Sequence, residues 1–150
     1  MIKKIKIGLI QSKSLGTIQS NIDLAIKNIK KAANKKAKII CLPELFLTNY
    51  FCQTESHSNF KLAEKIPGKI SGIFCDLAKE LGVVLNITMF EKKTSGFYHN
   101  TSIIINEKGK ILSKFCLNTF KSKVSRTEIK FFIISWVIRY VHLTIFRRNI

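Results

Sequence analysis

Two stretches of helical periodicity, set among short apolar runs, limit the folds open to this chain more than any other feature. Over residues 70–81, apolar side chains recur at intervals of three and four, and Gly82 follows where a left-handed C-cap is expected. Residues 18–32 show the same spacing, and we expect that helix to be capped by Ser20 or Asn21 and to end near residue 35. The sequence therefore predicts two amphipathic helices.

The apolar runs around these helices are short and rich in β-branched residues, which is typical of strands. They cover residues 5–10, 37–42, 83–90, 101–106 and 111–115, with a hairpin turn at 107–110. The first two runs alternate with the helices, so the order predicts an α/β fold with a sheet covered by helices. Two helices cover only one face of such a sheet. We therefore expect a partner, or more chain, to cover the other face.

The net charge of +17 suggests a basic binding protein, so its distribution matters. Residues 1–115 carry 19 lysines and no arginine against 8 acidic residues, and they hold all seven glycines. Residues 116–150 carry all four arginines and lack Gly, Ala, Pro and Asp. A protein that binds nucleic acid or an anionic membrane is the alternative to the enzyme reading developed below. Against it, the sequence lacks a nucleic-acid fold signature, and the helix lysines resemble a solvated face.

The four cysteines lack metal-ligand spacing, so we expect reduced thiols, a cytoplasmic location, no metal and no cofactor. The first residues carry charges but no apolar core of a signal peptide. The apolar stretch 129–146 is interrupted by Lys130, Arg139 and His142, each costly inside a bilayer, so we expect no membrane span. The remaining histidines, His57 and His99, also lack ligand spacing, and we assign no histidine a catalytic role.

Glu44 is the candidate for chemistry, because it directly follows an apolar strand and is preceded by Pro43. The carboxyl ends of strands are where α/β folds place their ligands. A carboxyl group surrounded there by Leu45, Phe46 and Tyr50 would have a raised pKa and could act as a general base. The alternative is an exposed loop glutamate with no chemical role.

Several consecutive motifs resemble the nitrilase superfamily of carbon–nitrogen hydrolases. The sequence Leu-Pro-Glu-Leu-Phe at 42–46 is similar to its first catalytic motif, and Tyr-Phe-Cys-Gln-Thr-Glu at 50–55 is most similar to the N-carbamoylputrescine amidase branch. Gln11, Asn21 and the segments 62–68, 90–91 and 97–101 agree in order, so the resemblance covers residues 3–115.

The resemblance implies the N-terminal part of an incomplete α-β-β-α sandwich and a Glu-Lys-Cys catalytic triad. In that triad a cysteine thiolate attacks the carbon, the glutamate is the general base and the lysine stabilises the oxyanion. Glu44 matches the glutamate. The implied reaction converts N-carbamoylputrescine into putrescine, CO2 and ammonia, which belongs to polyamine synthesis. The implied partner is a small-molecule amide or carbamoyl compound, in a family that commonly forms homo-oligomers.

The lysine and the cysteine of the triad have no counterpart here. Lys114 and Phe115 match the start of the lysine motif, but Leu117 stands where the resemblance places the catalytic lysine. The nucleophile motif, Cys-Trp-Asp-like and further along in the family, is absent. Cys41 and Cys75 have the setting of buried apolar residues. We therefore expect this chain to be inactive. Because half of the sandwich leaves one face of the sheet bare, we also expect poor solubility or weak folding.

The change of composition coincides with the end of the resemblance. Residues 116–150 form an unmatched basic and aromatic tail, and our hypothesis is that they come from a shifted reading frame. The alternative is a genuine divergent C-terminus. Sequencing the gene downstream distinguishes the two, because only the first requires codons for the lysine and cysteine motifs in another register.

Overall fold

The structure is a computed structural model, and it describes residues 4–51, 57–94 and 97–117. Along the chain lie strand β1 (Ile7–Leu9), helix α1 (Ile18–Asn34), strand β2 (Ile39–Cys41), a short 3-10 helix (His57–Leu62) and helix α2 (Lys69–Leu81). Strands β3 (Val84–Thr94), β4 (Phe97–Ile105) and β5 (Ile111–Leu117) follow. This order confirms the predicted α/β fold class. None of the described helices is long and apolar enough to cross a membrane; the apolar stretch 129–146 lies outside the described residues.

Helix α1 begins earlier than the sequence indicated. Its N-cap is Thr17, whose side-chain oxygen accepts a hydrogen bond from the Ser20 backbone N–H at 3.1 Å. The prediction of Ser20 or Asn21 as the cap was wrong, because the threonine three residues upstream satisfies the free N–H group first. Both of those residues lie inside the first turns of the helix, and Asn21 is buried.

Helix α2 agrees with its predicted range to within one residue. Gly82 ends it with φ of 60°, and its backbone N–H donates to the carbonyl oxygens of Ala78 and Lys79. The left-handed backbone at this position suits a residue without a Cβ atom. Its buried residues lie along one side of the helix, as the apolar spacing predicted: Ile70, Ser71, Phe74, Leu77 and Ala78.

The five strands form one sheet in the order β1-β2-β3-β4-β5. The strands β1, β2 and β3 are mutually parallel, whereas β4 and β5 continue the sheet in antiparallel fashion. Strands β3, β4 and β5 extend beyond the predicted ranges, and the hairpin turn at 107–110 is confirmed. The prediction that the first strand is buried was wrong: β1 is the edge strand, and Ile7 and Leu9 are 42% and 67% exposed.

Both helices pack on the same face of the sheet. The apolar core there combines α1, α2 and alternate residues of the strands, including Ile40, Leu85, Ile87, Ile103 and Ile105. The residues between them point to the opposite face, because successive side chains of a strand alternate. One helical layer and one sheet make up half of an α-β-β-α sandwich. This agrees with the predicted incomplete fold.

An ion pair between a buried glutamate and a partly exposed lysine links the three antiparallel strands on the helix-covered face. Glu91 of β3 has a side chain only 2% exposed and pairs with the Lys114 ammonium group of β5. The Thr101 hydroxyl of β4, which lies between them, donates to Glu91 Oε2 at 2.7 Å. Lys114 Nζ also donates to the Ile66 carbonyl oxygen at 3.3 Å, just before α2. Each of the three strands therefore contributes one polar group to the same cluster.

We predict that Lys114→Met destabilises the chain by about 3 kcal/mol, because it leaves the Glu91 carboxylate buried without its counter-charge. Urea unfolding followed by circular dichroism measures the change. Lys108→Met is the matched control: this lysine is exposed in the hairpin turn, and its loss is expected to change stability by about 0.5 kcal/mol or less. Equal effects of the two substitutions would contradict a stabilising role for the ion pair.

Candidate active site

Glu44 lies at the carboxyl end of β2, in a turn that spans residues 44–47. The Leu42 backbone N–H donates to the Asn86 carbonyl oxygen of β3 at 3.0 Å, so the chain stays attached to the sheet until just before the turn. Leu45 has φ of 49°, a left-handed conformation that is unfavourable for a leucine. Such backbone strain persists only where surrounding contacts enforce it, and it is concentrated at functional sites.

Two contacts hold the turn in this conformation. The side-chain amide of Asn21 on α1 donates from Nδ2 to the Leu47 carbonyl oxygen at 2.8 Å. Phe46 is buried in the core and meets Phe74 of α2 edge to face, with ring centroids 5.3 Å apart. The first contact comes from α1 and the second from α2, so both helices help to position the turn and, with it, Glu44.

Asn100 of β4 supplies the direct partner of Glu44. Its side-chain Nδ2 donates to Glu44 Oε1 at 2.6 Å, a short distance that is typical of a charge-assisted hydrogen bond. Desolvation by burial raises the pKa of Glu44 above its ordinary value, and the hydrogen bond from Asn100 partly opposes the rise. Glu44 is half-buried, so the prediction of an exposed loop glutamate does not describe this carboxyl group.

An aromatic cluster adjoins Asn100 on the sheet. Phe90 of β3 is the cross-strand partner of Asn100, and its ring centroid lies 5.0 Å from that of Phe51 and 5.7 Å from that of Tyr98. Phe60 lies 4.5 Å from Tyr98, again between centroids. Phe51 and Phe60 both come after the Glu44 turn in the sequence, and both rings pack against aromatic residues of the sheet. The cluster provides an apolar wall near a polar pair, the usual composition of a small-molecule site.

Position 117 is the cross-strand partner of Asn100 on its other side, in β5. The position at which the resemblance expects a catalytic lysine is therefore next to the residue that binds Glu44. The amino acid at this position is leucine.

The cysteines within the described residues are poorly suited to act with Glu44. Burial raises the pKa of the Cys41 thiol to about 11, so this thiol is a weak nucleophile at neutral pH. Burial, together with the charge of Asp76, also raises the pKa of Cys75. Cys116 is exposed and contacts Thr101 Oγ1 at 3.8 Å, on the face opposite to Asn100. Cys52 lies outside the described residues, as does His142.

Sequence reasoning located Glu44 but gave Asn100 no role, although both lie in motifs that carry the resemblance. The two residues are 56 positions apart, and the pairing of β2 with β3 and of β3 with β4 brings them together. Within the described part of the chain, no three His, Cys, Asp or Glu side chains converge in a group able to hold a metal ion.

Comparison with known proteins identifies the family of the chain. The family model for carbon-nitrogen hydrolases matches residues 6–126, a range that extends beyond residue 115. The chain is 32% identical over 101 residues to an N-carbamoylputrescine amidase of Solanum lycopersicum, covering 67% of this chain and 34% of that protein. It is 33% identical over 111 residues to an omega-amidase of Xenopus laevis, covering 74% of this chain and 39% of that protein.

The solved structures agree as well. A carbon-nitrogen hydrolase from Helicobacter pylori G27 superimposes with a TM-score of 0.71 at 28% identity, over 82% of this chain and 41% of that one. An amidase from Nesterenkonia sp. has the same fold, with a TM-score of 0.61 at 18% identity, over 79% and 44% of the two chains. The chain belongs to the carbon-nitrogen hydrolase family, within the nitrilase superfamily. It spans little more than a third of the length of the curated relatives described above.

We predict that Glu44 makes stability decrease as pH rises. Because burial raises its pKa in the folded state, the folded chain binds the proton more tightly than the unfolded chain does. The contribution is fully present below the ordinary carboxyl pKa of 4.5 and is lost as pH rises through the folded-state pKa. The measurement is the difference in unfolding free energy between the native chain and Glu44→Gln, followed from below pH 4.5 up to neutral pH.

Glu80→Gln is the control for this measurement, since it removes a negative charge from an exposed position on α2, where Glu80 pairs with the exposed Lys30 of α1. A native chain that becomes more stable, relative to Glu44→Gln, as pH rises would show that the pKa of Glu44 is lowered on folding. That result would contradict the site described here.

Proposed function

We propose that residues 3–115 are the N-terminal part of a hydrolase that cleaves carbamoyl or amide C–N bonds, with Glu44 as its general base. One observation carries the proposal: a half-buried carboxyl group with a raised pKa, bound by Asn100, at the carboxyl end of β2. A raised pKa brings a carboxylate closer to the operating pH, where it is most effective in proton transfer.

In the proposed reaction, a cysteine of the complete fold loses its thiol proton to Glu44 as its sulfur bonds to the substrate carbon. The leaving amine departs with that proton, and a thioester remains on the enzyme. Glu44 then accepts a proton from water, whose oxygen bonds to the thioester carbon as the C–S bond breaks. Glu44 returns this proton to the departing sulfur, so that the acid and the free thiol are released. The carboxylate therefore accepts and donates a proton in each half of the reaction.

The proposed substrate is N-carbamoylputrescine, which places the reaction in polyamine synthesis and the protein in the cytoplasm. The support is the motif at 50–55 and the similarity to N-carbamoylputrescine amidases of several plants. Similarity to omega-amidases is of comparable strength, so an omega-amide is the substrate to test beside it. We also propose that the complete protein is a homo-oligomer that binds neither nucleic acid nor membrane.

We further propose that the chain of 150 residues has no activity by itself. Leucine occupies the position opposite Asn100, where a cationic group would be needed to stabilise an oxyanion. The described cysteines either have a raised pKa or lie on the face opposite to Asn100. A frameshifted tail over 116–150 remains our proposal for why these groups are missing; the family-model match as far as residue 126 is the observation that argues against a join as early as residue 115.

A chimera tests the role of Glu44. Residues 6–115 of this chain replace the corresponding segment of the Solanum lycopersicum amidase, and ammonia release from N-carbamoylputrescine is measured. We expect turnover in the chimera, and a loss of about 100-fold or more in kcat when Glu44→Gln is introduced, the usual contribution of a general base.

The chimera with Glu80→Gln is the matched control and is expected to retain full activity. The unmodified chain of 150 residues, assayed alongside, is expected to release no ammonia. A chimera that folds like the parent amidase yet keeps its rate in Glu44→Gln would refute the assignment of the base. Turnover by the unmodified chain that Glu44→Gln abolishes would refute its proposed inactivity.

A further inference from the structure

The side-chain amide of Asn100 is buried, but only one of its two polar ends has a partner among the described residues. Asn100 is 3% exposed, and its Nδ2 donates to Glu44 Oε1 at 2.6 Å. Its Oδ1 is also buried, and within residues 4–51, 57–94 and 97–117 it lacks a hydrogen-bond partner. An unpaired buried acceptor is costly, and in native proteins such a group calls for a specific explanation.

The orientation of the amide follows from Glu44. An ionised carboxylate only accepts hydrogen bonds, so the NH2 end of Asn100 must face it. In the reverse orientation the amide oxygen would face the carboxylate oxygen, and two acceptors cannot form a hydrogen bond with each other. Asn100 Oδ1 is therefore left unpaired as a consequence of the bond to Glu44.

A neighbouring asparagine on the same face provides a contrast. Asn86 of β3 is 2% exposed and accepts a hydrogen bond at Oδ1 from the Ser102 hydroxyl of β4 at 3.0 Å, while its own buried Nδ2 has no partner among the described residues. That contact joins two strands and does not involve Glu44. Asn100 instead contacts a carboxyl group in a turn outside the sheet, so its amide determines the position of a titratable group.

We propose that Asn100 is a positioning residue for Glu44, one that binds Oε1 and leaves Oε2 as the oxygen that accepts the proton. This inference rests on the proposed function of Glu44 as a base. The hydrogen bond fixes the rotation of the carboxyl group and favours its ionised form, which accepts a proton in the first step. It opposes the effect of burial, which favours the protonated form.

The test is an NMR titration of the Glu44 carboxyl carbon in the full chain labelled with 13C-glutamate, the resonance being assigned with Glu44→Gln. Asn100→Leu keeps a similar side-chain volume and removes the donor. We expect the midpoint of the Glu44 titration to move to higher pH in this variant. Ser102→Ala, which removes the other buried hydrogen bond of the same strand and face, is expected to leave the midpoint unchanged.

A purely structural asparagine would give a different result: Asn100→Leu would lower the unfolding free energy and leave the midpoint of Glu44 in place. That outcome would overturn the proposal. So would a midpoint that moves equally in Ser102→Ala and Asn100→Leu.

A second measurement uses the native chain, and it tests the contact between Asn100 and Glu44 even if Asn100→Leu does not fold. The side-chain amide protons of Asn100 are expected to shift with pH at the same midpoint as the Glu44 carboxyl carbon, and to lose this dependence in Glu44→Gln. Amide resonances that stay constant through the Glu44 titration would overturn the proposal. Neither measurement requires turnover, so a failure of the proposed hydrolase function would be recognised separately, in the chimera.

Discussion

The register of β3, β4 and β5 determines whether this chain has a site, and the ion pair between Glu91 and Lys114 supports that register. A slip of one residue in the pairing of a strand would move all of its side chains to the other face. The Thr101 hydroxyl binds Glu91 on the helix-covered face, which leaves its neighbour Asn100 on the opposite face. Since Asn100 binds Glu44, the ion pair on one side of the sheet supports the position of a carboxyl group on the other.

Glu91 and Glu44 are the same amino acid in two different environments, and the difference gives them different roles. Glu91 is almost completely buried and is bound by an ammonium group and a hydroxyl group, so its charge is compensated. Glu44 is half-buried and has a neutral amide as its hydrogen-bond partner, so burial raises its pKa. A compensated carboxylate serves stability. A carboxyl group whose charge is only partly supported is suited to exchanging protons.

The sequence predicted those parts of the fold that depend on local pattern. The apolar spacing over 70–81 and the glycine at 82 predicted α2, because both express the geometry of a single helix. The cap of α1 was misplaced because Thr17, Ser20 and Asn21 are all good capping residues, and only the backbone conformation distinguishes them. The exposure of β1 was missed because an apolar run does not reveal whether its strand lies at the edge or the centre of a sheet. The bond between Glu44 and Asn100 depends on strand pairing across 56 positions, beyond what periodicity can reveal.

The central claim is that strand pairing brings Glu44, Asn100 and position 117 together. The most direct measurement is the titration midpoint of the Glu44 carboxyl carbon in Leu117→Lys, with Leu112→Lys as a control that places the same charge at an exposed position of β5. A nearby ammonium group favours the ionised carboxylate, so the midpoint is predicted to fall in Leu117→Lys and to change little in the control. A midpoint that is the same in Leu117→Lys as in the native chain would contradict the account.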